Sequence, residues 1–348
     1  MTPLTRVSIT ARKIIRYVVF FTIFLIVGKI LFDIGSGIYL RVFPPPPPPP
    51  TVSFGKLPKI SFPEKEKPNL TFSLETPEGG LPTLAPQAKV YFMPKLAPTL
   101  LSLDVAKDKA VALGFNPNEQ EISQTLYRFP HKENPETLEM NIATGIFSIS
   151  YDLKADSSPL ERKPPAPEIA ASTVRSYLSS AGLFPEDLTG ITTHEFLKIE
   201  GDKFVSALAL SEADLVKVNF FRKNYDELPS LTPDPGSANI WFMVSGSNER
   251  NKQVIAGQFH YFPVDESQSS TYPLKAAQTA WDELNSGGAY VASVGINKDG
   301  DNVKIRRIYL GYYDAGTPNE FFQPIVVFEG DRGFIAYLPA VTVEFYGE

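Results

Sequence analysis

The three histidines are the side chains of this sequence with the clearest potential to bind a metal ion. His131, His194 and His260 lie in separate stretches of the chain, and none belongs to an H-E-x-x-H or H-x-H spacing. Cysteine, the other common zinc ligand, is absent. We therefore predict no metal site and no cofactor. His131 is expected in a solvated turn, and His194 and His260 are expected within strands.

Other patterns that carry catalysis are also missing. The sequence contains no G-x-S-x-G elbow, Walker loop or G-x-G-x-x-G, and without cysteine it has no thiol nucleophile. Residues 297–302, N-K-D-G-D-N, have the composition of a calcium loop, but Ile308 stands where the twelfth ligand belongs. A hairpin turn between VASVGI and VKIRRI is favoured instead. We predict that the protein is not an enzyme. A hydrolase that uses Asp or Glu is the less favoured alternative.

Aromatic residues are abundant, with 25 Phe and 15 Tyr. Five of them fall close together near the end of the chain: Tyr309, Tyr312, Tyr313, Phe321 and Phe322. Cross-strand packing is the favoured interpretation of this cluster. The alternative is an exposed interaction patch for a protein or a cell-wall polymer.

An apolar run near the start of the chain predicts a membrane span. From Tyr17 to Phe32, twelve of sixteen residues are Val, Ile, Leu or Phe. At about −0.5 kcal/mol each they supply roughly −6 kcal/mol, whereas Lys29 costs about 3 kcal/mol at the bilayer centre. Lys29 lies near one end, where it can snorkel or pair with Asp33, so insertion is favoured. Residues 14–40 are predicted as the anchor. Its main apolar contacts are expected from Tyr17, Phe20, Phe21, Phe24, Leu25, Ile30 and Phe32.

Charge on the two sides of this span predicts its orientation. The first 43 residues hold six basic residues and one acidic residue, so they carry +5, and the net charge of −6 leaves −11 for the remainder. The basic residues that precede the span are Arg6, Arg12, Lys13 and Arg16. The positive-inside rule then places residues 1–13 in the cytoplasm and the C-terminal domain outside, as in a single-pass protein of the cell membrane. A cleaved signal peptide is the alternative, but no A-x-A-like site follows. The acidic remainder disfavours nucleic acid as a partner.

Seven consecutive prolines, 44–50, follow the span. Such a run favours polyproline II at about 3.1 Å per residue, so we expect a stiff spacer of roughly 22 Å. An SH3-type ligand is the alternative interpretation. Proline recurs as far as residue 98, and we take 41–99 as a Pro-rich linker in which 70–74 and 88–93 have strand character.

The remaining chain alternates helices with runs of strands. The predicted helices are 102–113, 167–181 and 273–285. The first two end in the same stop, Gly, an apolar residue, any residue and Pro, at Gly114 and Gly182. This repetition suggests internal repeats, and the short turns between strands favour antiparallel meanders. The predicted fold class is α+β, with one N-terminal transmembrane helix and repeated helix-plus-meander units at 100–163, 164–233 and 234–348.

Several stretches resemble the YycH/YycI-type membrane-anchored regulatory proteins and their PepSY-like units. They are AAQTAWDELNSGG (276–288), VKIRRIYLGYY (303–313), the pair FFQPIVVFEG and FIAYLPA from residue 321 onward, and LEMNIATGIFSI (138–149). The resemblance implies a non-enzymatic bacterial envelope protein that regulates a sensor kinase through its ectodomain and membrane helix. PepSY-like domains are associated with inhibiting or chaperoning peptidases. The polyproline run is not part of this pattern. We expect a protein partner in or outside the membrane, and a cell-envelope polymer is the alternative partner.

Overall fold

The computed structural model describes residues 3–42, 48–66 and 68–347, with the side chains of the first helix described from residue 16 to residue 39. Two compact units make up the chain, one up to Pro49 and one from Pro50 onward. The predicted polyproline rod falls mostly outside the described residues. Pro48, Pro49 and Pro50 are described, and they are exposed and belong to no helix or strand.

The first unit is a single long helix, α1, Pro3–Val42. Its segment Arg16–Tyr39 is 24 residues long and is apolar and long enough to cross a membrane. The apolar side chains of this segment are exposed rather than packed in a core. Lys29 and Asp33 are both exposed and form no ion pair among the described side chains, so the pairing suggested by their spacing is not formed.

The second unit combines three short helices with a large set of strands. The helices are α2 (Ser102–Ala112), α3 (Pro167–Ser180) and α4 (Ala277–Asn285). The strands of the described residues are β1 (Thr71–Leu74), β2 (Gln87–Phe92), β3 (Gln120–Glu121), β4 (Leu126–Pro130), β5 (Glu136–Asn141), β6 (Phe147–Tyr151), β7 (Thr192–Glu200), β8 (Lys203–Ser206), β9 (Leu215–Phe220), β10 (Ser230–Leu231), β11 (Ile240–Val244), β12 (Val254–Phe259), β13 (Asp265–Pro273), β14 (Tyr290–Ser293), β15 (Asn302–Tyr313), β16 (Phe321–Phe322), β17 (Pro324–Gly330) and β18 (Ile335–Pro339).

A nine-stranded sheet forms the first layer of this unit, in the order β3-β4-β5-β6-β12-β11-β9-β7-β8. All of its neighbouring strands are antiparallel. Helices α2 and α3 share one hydrophobic core with it, because Ala106, Ala110, Val174 and Leu178 pack among inward-facing strand residues such as Phe242. Strands from all three predicted units pair in this sheet, so the pairing does not follow the predicted unit boundaries, which stay a prediction.

A six-stranded sheet forms the second layer, in the order β1-β15-β17-β18-β14, with β10 also paired to β15. Strands β1 and β10 run parallel to β15, and the other strand pairs of this sheet are antiparallel. Helix α4 covers part of it through Ala280 and Leu284. A small antiparallel sheet, β13-β2-β16, completes the unit.

The α+β class and the N-terminal apolar helix are confirmed, and so is the stop that ends the first two predicted helices. Gly114 and Gly182 both adopt positive φ, at 100° and 64°. The amide of Phe115 then donates to the carbonyl of Ala110, and that of Leu183 donates to the carbonyl of Leu178. These bonds satisfy carbonyl groups that the last turn of a helix leaves open.

Two local predictions were wrong. The third helix begins at Ala277 rather than at Pro273, because Pro273 ends β13 and pairs with Gln87 of β2. The loop 297–302 is not a hairpin turn. The strand that precedes it, β14, pairs with β18, whereas the strand that follows it, β15, pairs with β1 and β17.

Candidate functional site

The predicted anchor residues lie on α1, where each is more than half exposed. They are Tyr17, Phe20, Phe21, Phe24, Leu25, Ile30 and Phe32. So much contiguous apolar surface is unfavourable in water, and a bilayer would cover it. Of the four basic residues predicted to set the orientation, Arg16 is exposed on this helix. The side chains of Arg6, Arg12 and Lys13 lie outside the described ones.

The five aromatic residues of the predicted interaction patch are divided between packed interiors. Tyr312 and Phe322 are fully buried and stack on each other, with ring centroids 5.1 Å apart. Tyr313 is also buried and packs edge-on against Phe62. These three rings are therefore unavailable to a partner, because Tyr91, Tyr225 and Phe62 pack against them. Tyr309 and Phe321 are half-buried, and Tyr309 donates a hydrogen bond to Glu329.

The histidines are not brought together. His131 accepts hydrogen bonds at Nδ1 from the amides of Glu133 and Asn134, and burial lowers its pKa. His260 contacts the side chain of Gln258, and burial lowers its pKa as well. His194 lies in β7, with its ring beside that of Phe196. Within the described residues no group of three or more His, Asp and Glu side chains is arranged to hold a metal ion.

A cleft of about 580 Å³ lies beside the nine-stranded sheet, next to a cluster of buried charged side chains. The cleft is lined by Lys109 of α2, by the loop 182–187 that follows α3, and by the segments that leave β9 and β12. A cleft of this size is in the range of small-ligand sites. From here on, "the cleft" refers to this cavity.

A buried ionic cluster, the Arg222 centre, lies against the cleft. It consists of Arg222, Asp187 and Asp314, whose side chains are 1%, 10% and 9% exposed. Arg222 Nε donates to Asp314 Oδ2 at 2.9 Å, and one terminal nitrogen of Arg222 donates to Asp187 Oδ2 at 2.5 Å. Its other terminal nitrogen donates to the carbonyl of Phe262. All three nitrogens of the guanidinium group are therefore engaged.

The Arg222 centre is charged and electrically unbalanced. Burial alone would lower the pKa of Arg222, but the carboxylates of Asp314 and Asp187 raise it above its usual value, so the guanidinium stays protonated. Two carboxylates against one guanidinium leave a net charge of −1. Tyr225 adds a neutral hydrogen bond to Asp187 Oδ2 at 2.9 Å. Asp187 Oδ1 is buried and has no hydrogen-bond partner among the described residues.

Two lysines line the cleft in different states. Lys109 is half-buried and forms no ion pair among the described residues, and desolvation lowers its pKa. Lys223 is paired with Glu266 at 2.5 Å, and both members of this pair line the cleft. The cleft thus presents the unpaired ammonium group of Lys109, the exposed carboxylate of Glu186, and the buried Oδ1 of Asp187, which has no hydrogen-bond partner among the described residues.

Exposed apolar side chains continue from the cleft along α2. Leu101, Val105 and Lys109 are spaced by four residues, so they lie along one face at the start and middle of this helix. Leu101 is 65% exposed and Val105 is 49% exposed. Leu96, which lines the cleft, is 40% exposed. We call Leu96, Leu101 and Val105 the apolar stripe. Exposed apolar surface of this kind is typical of an interaction site.

Little in the amino-acid sequence indicated this site. Arg222 lies 35 positions from Asp187 and 92 positions from Asp314, and no spacing rule links them. One signal was present: Arg222 ends the apolar run LVKVNFFR, and a basic residue at the end of a buried strand needs an acidic partner. The sequence could not indicate which acids supply it.

No family model matches the sequence, and no curated protein matches it. Solved structures similar to this fold include an uncharacterized protein from Eubacterium rectale, with a TM-score of 0.37 and 10% identity over 74% of this chain and 84% of that one. The C-terminal domain of YpeB from Bacillus megaterium has a TM-score of 0.33 and 11% identity, over 72% of this chain and 95% of that one.

YycH from Bacillus subtilis is also among the similar structures, with a TM-score of 0.33 and 11% identity over 76% of this chain. The match covers 54% of YycH, so this chain corresponds to about half of that protein.

Proposed function

We propose that this protein is a non-catalytic, membrane-anchored regulatory module that binds a protein partner outside the cytoplasm. The observation that carries the proposal is the cleft, in which a buried charged cluster and an unpaired lysine lie next to exposed apolar side chains. Buried polar anchors beside an apolar surface are the usual composition of a recognition site. The exposed apolar face of α1 supports the membrane anchor.

The geometry of the cleft favours binding over hydrolysis. Hydrolysis by acidic residues needs two carboxyl groups that face a substrate with different protonation states. Three carboxyl groups line the cleft: Asp187 is bonded to Arg222, Glu266 is bonded to Lys223, and Glu186 is exposed to solvent. Glu136, a carboxyl group with a raised pKa, lies in β5 and does not line the cleft. The polymer-binding alternative was based on the proline spacer and the aromatic cluster, and three of the five rings in that cluster are buried.

The orientation of the anchor can be tested cleanly because the chain contains no cysteine. We expect the Lys203→Cys variant to react with a membrane-impermeant maleimide on intact cells, since Lys203 is exposed in the second unit. The Ser8→Cys variant should react only after lysis, because the basic residues hold the N-terminus inside. Labelling is read as a mass shift on a gel. The reverse labelling pattern would contradict the proposed orientation. Recovery of the protein in the soluble fraction would contradict the membrane anchor itself.

Binding at the cleft can be tested with a photo-crosslinking residue in place of Leu101. We expect a discrete partner adduct from this position in intact cells, because Leu101 belongs to the apolar stripe. The matched control places the same residue at Leu208, which is 94% exposed and belongs neither to the cleft nor to the apolar stripe. Adducts are resolved by gel shift and identified by mass spectrometry. If both positions give the same adducts, or neither gives any, the cleft is not the binding site.

A further inference from the structure

We propose that the partner presents a free amino terminus to the cleft, and that its α-ammonium group binds Asp187 Oδ1. This inference rests on the proposed function and names the chemistry of the partner's binding segment. The following residues of that segment would place apolar side chains on the apolar stripe. Lys109 would donate a hydrogen bond to a carbonyl oxygen of the same segment.

Charge complementarity at the Arg222 centre is the first argument. The centre carries a net charge of −1 in a buried position, and a cation from outside would balance it. Arg222 and Tyr225 both bond to Asp187 Oδ2, so the carboxylate is fixed with its other oxygen, Oδ1, left without a partner. A buried acceptor without a hydrogen-bond partner gains most from a charged donor, because charge-assisted hydrogen bonds are stronger than those between neutral groups.

The surroundings of Asp187 suit an ammonium group. The ring of Tyr261 lies 4.5 Å from the Arg222 guanidinium and also lines the cleft, and aromatic faces attract cations. The carboxylate of Asp187 contributes to a raised pKa of Tyr261, after burial, so the two groups are close. A primary ammonium has three donors and can bond to Oδ1 while it contacts such a ring.

Access to Oδ1 requires a small opening. The ion pair between Lys223 and Glu266 lines the same cleft, and its side chains are 37% and 52% exposed. Exposed ion pairs of this kind contribute little to stability, so this pair can separate at small cost when a ligand enters. Glu266 would then face the incoming cation.

Lys109 distinguishes a peptide from a simple amine. Its ammonium group is partly desolvated without an ion pair, so it gains from any carbonyl oxygen placed beside it. The first residue of any peptide carries a carbonyl group next to its ammonium group. The ammonium group would bind Asp187 Oδ1, and Lys109 would donate a hydrogen bond to the carbonyl oxygen. Val105 and Leu101 precede Lys109 by four and eight residues and lie on the same face of α2. They would therefore contact apolar side chains of the peptide.

The test uses the full chain in detergent and the tetrapeptide Leu-Leu-Ala-Leu with an amidated C-terminus as the probe. We expect measurable binding by calorimetry and at least tenfold weaker binding of the same peptide after N-terminal acetylation. The Asp187→Asn variant should lose a similar factor, and Lys109→Gln should lose about threefold to tenfold. The matched control is Lys107→Gln on the same helix, where Lys107 pairs with Glu119 away from the cleft.

The possible outcomes separate this inference from the proposed function. If the free and acetylated peptides bind equally, or if neither binds, the ammonium site is refuted, and a buried water then satisfies Oδ1 instead. Crosslinking from Leu101 in that case leaves the proposed function standing. If Asp187→Asn does not fold, the acetylation comparison and the Lys109→Gln variant still decide the question.

Discussion

Replacement of Arg222 by methionine is expected to lower the free energy of unfolding by about 3 to 5 kcal/mol, the cost of breaking a buried ion pair from one side. Methionine resembles the aliphatic part of the arginine side chain, but it lacks the charge that balances Asp187 and Asp314. Both carboxylates are about nine-tenths buried, so water can replace little of what is lost. Urea unfolding followed by the fluorescence of Trp241 and Trp281 measures the change.

Arg307→Met is the matched control for this substitution. Arg307 also pairs with a carboxylate, Glu329 at 2.9 Å, but its side chain is 65% exposed. Exposed pairs contribute about 0 to 1 kcal/mol, so this variant should unfold almost as the parent does. Adding Asp187→Asn and Asp314→Asn to Arg222→Met should restore part of the stability, because the unbalanced charges are then gone. Equal losses for the two arginine variants would show that the Arg222 centre is hydrated.

Features that depend on neighbouring residues were predictable from the sequence. The stops at Gly114 and Gly182 follow from local chemistry, since only a left-handed residue lets the next amide reach back to the helix. The hairpin between β7 and β8 follows from Gly201 in the same way, where φ is 63°. The apolar run that forms most of α1 needs no partner in the chain to be recognised.

Features that depend on distant residues were not predictable. Strand β1 pairs in parallel with β15, and Asn302 bonds to Thr71 across 231 positions. Pro273 has the position of a first helical residue, but pairing with β2 extends the strand through it. In both cases the pairing partner decides the structure, and the local pattern does not identify it.

Burial of the aromatic residues also depends on distant parts of the chain. The sequence placed Tyr312 near Phe322, and the structure stacks these rings at 5.1 Å. Whether such a pair faces solvent depends on what covers it. Strand β2 supplies that cover through Tyr91, and it comes from a segment predicted mainly as linker. The spacing of these residues in the sequence therefore could not show that three of the five rings are buried.

The second large effect is expected from Glu136→Gln, which should raise the free energy of unfolding by about 2 to 4 kcal/mol at pH 7.5. Glu136 is 5% exposed and points into the core shared by α2, α3 and the nine-stranded sheet. Burial raises its pKa to about 8 from an ordinary value of 4.5. Near neutral pH the folded protein must therefore hold a proton that the unfolded chain has released.

The sign of the pH dependence follows from this difference. Stabilisation by the bound proton is complete below about pH 4.5, declines as pH rises, and is lost above about pH 8. The parent should lose up to about 1.4 kcal/mol per pH unit within this window through Glu136 alone, and the Gln variant should lack that contribution. Below pH 4.5 the two proteins should unfold alike.

Glu139→Gln is the matched control, because Glu139 lies on the same strand but faces outward and pairs with Arg128. It should change stability by less than about 1 kcal/mol and leave the pH slope as in the parent. Burial lowers the pKa values of His131 and His260 as well, so the decisive quantity is the difference between parent and variant at each pH. Urea unfolding at pH 4.5, 6 and 8 provides it. Parallel curves for the parent and Glu136→Gln would show that Glu136 is ionised in the folded state and would contradict its raised pKa.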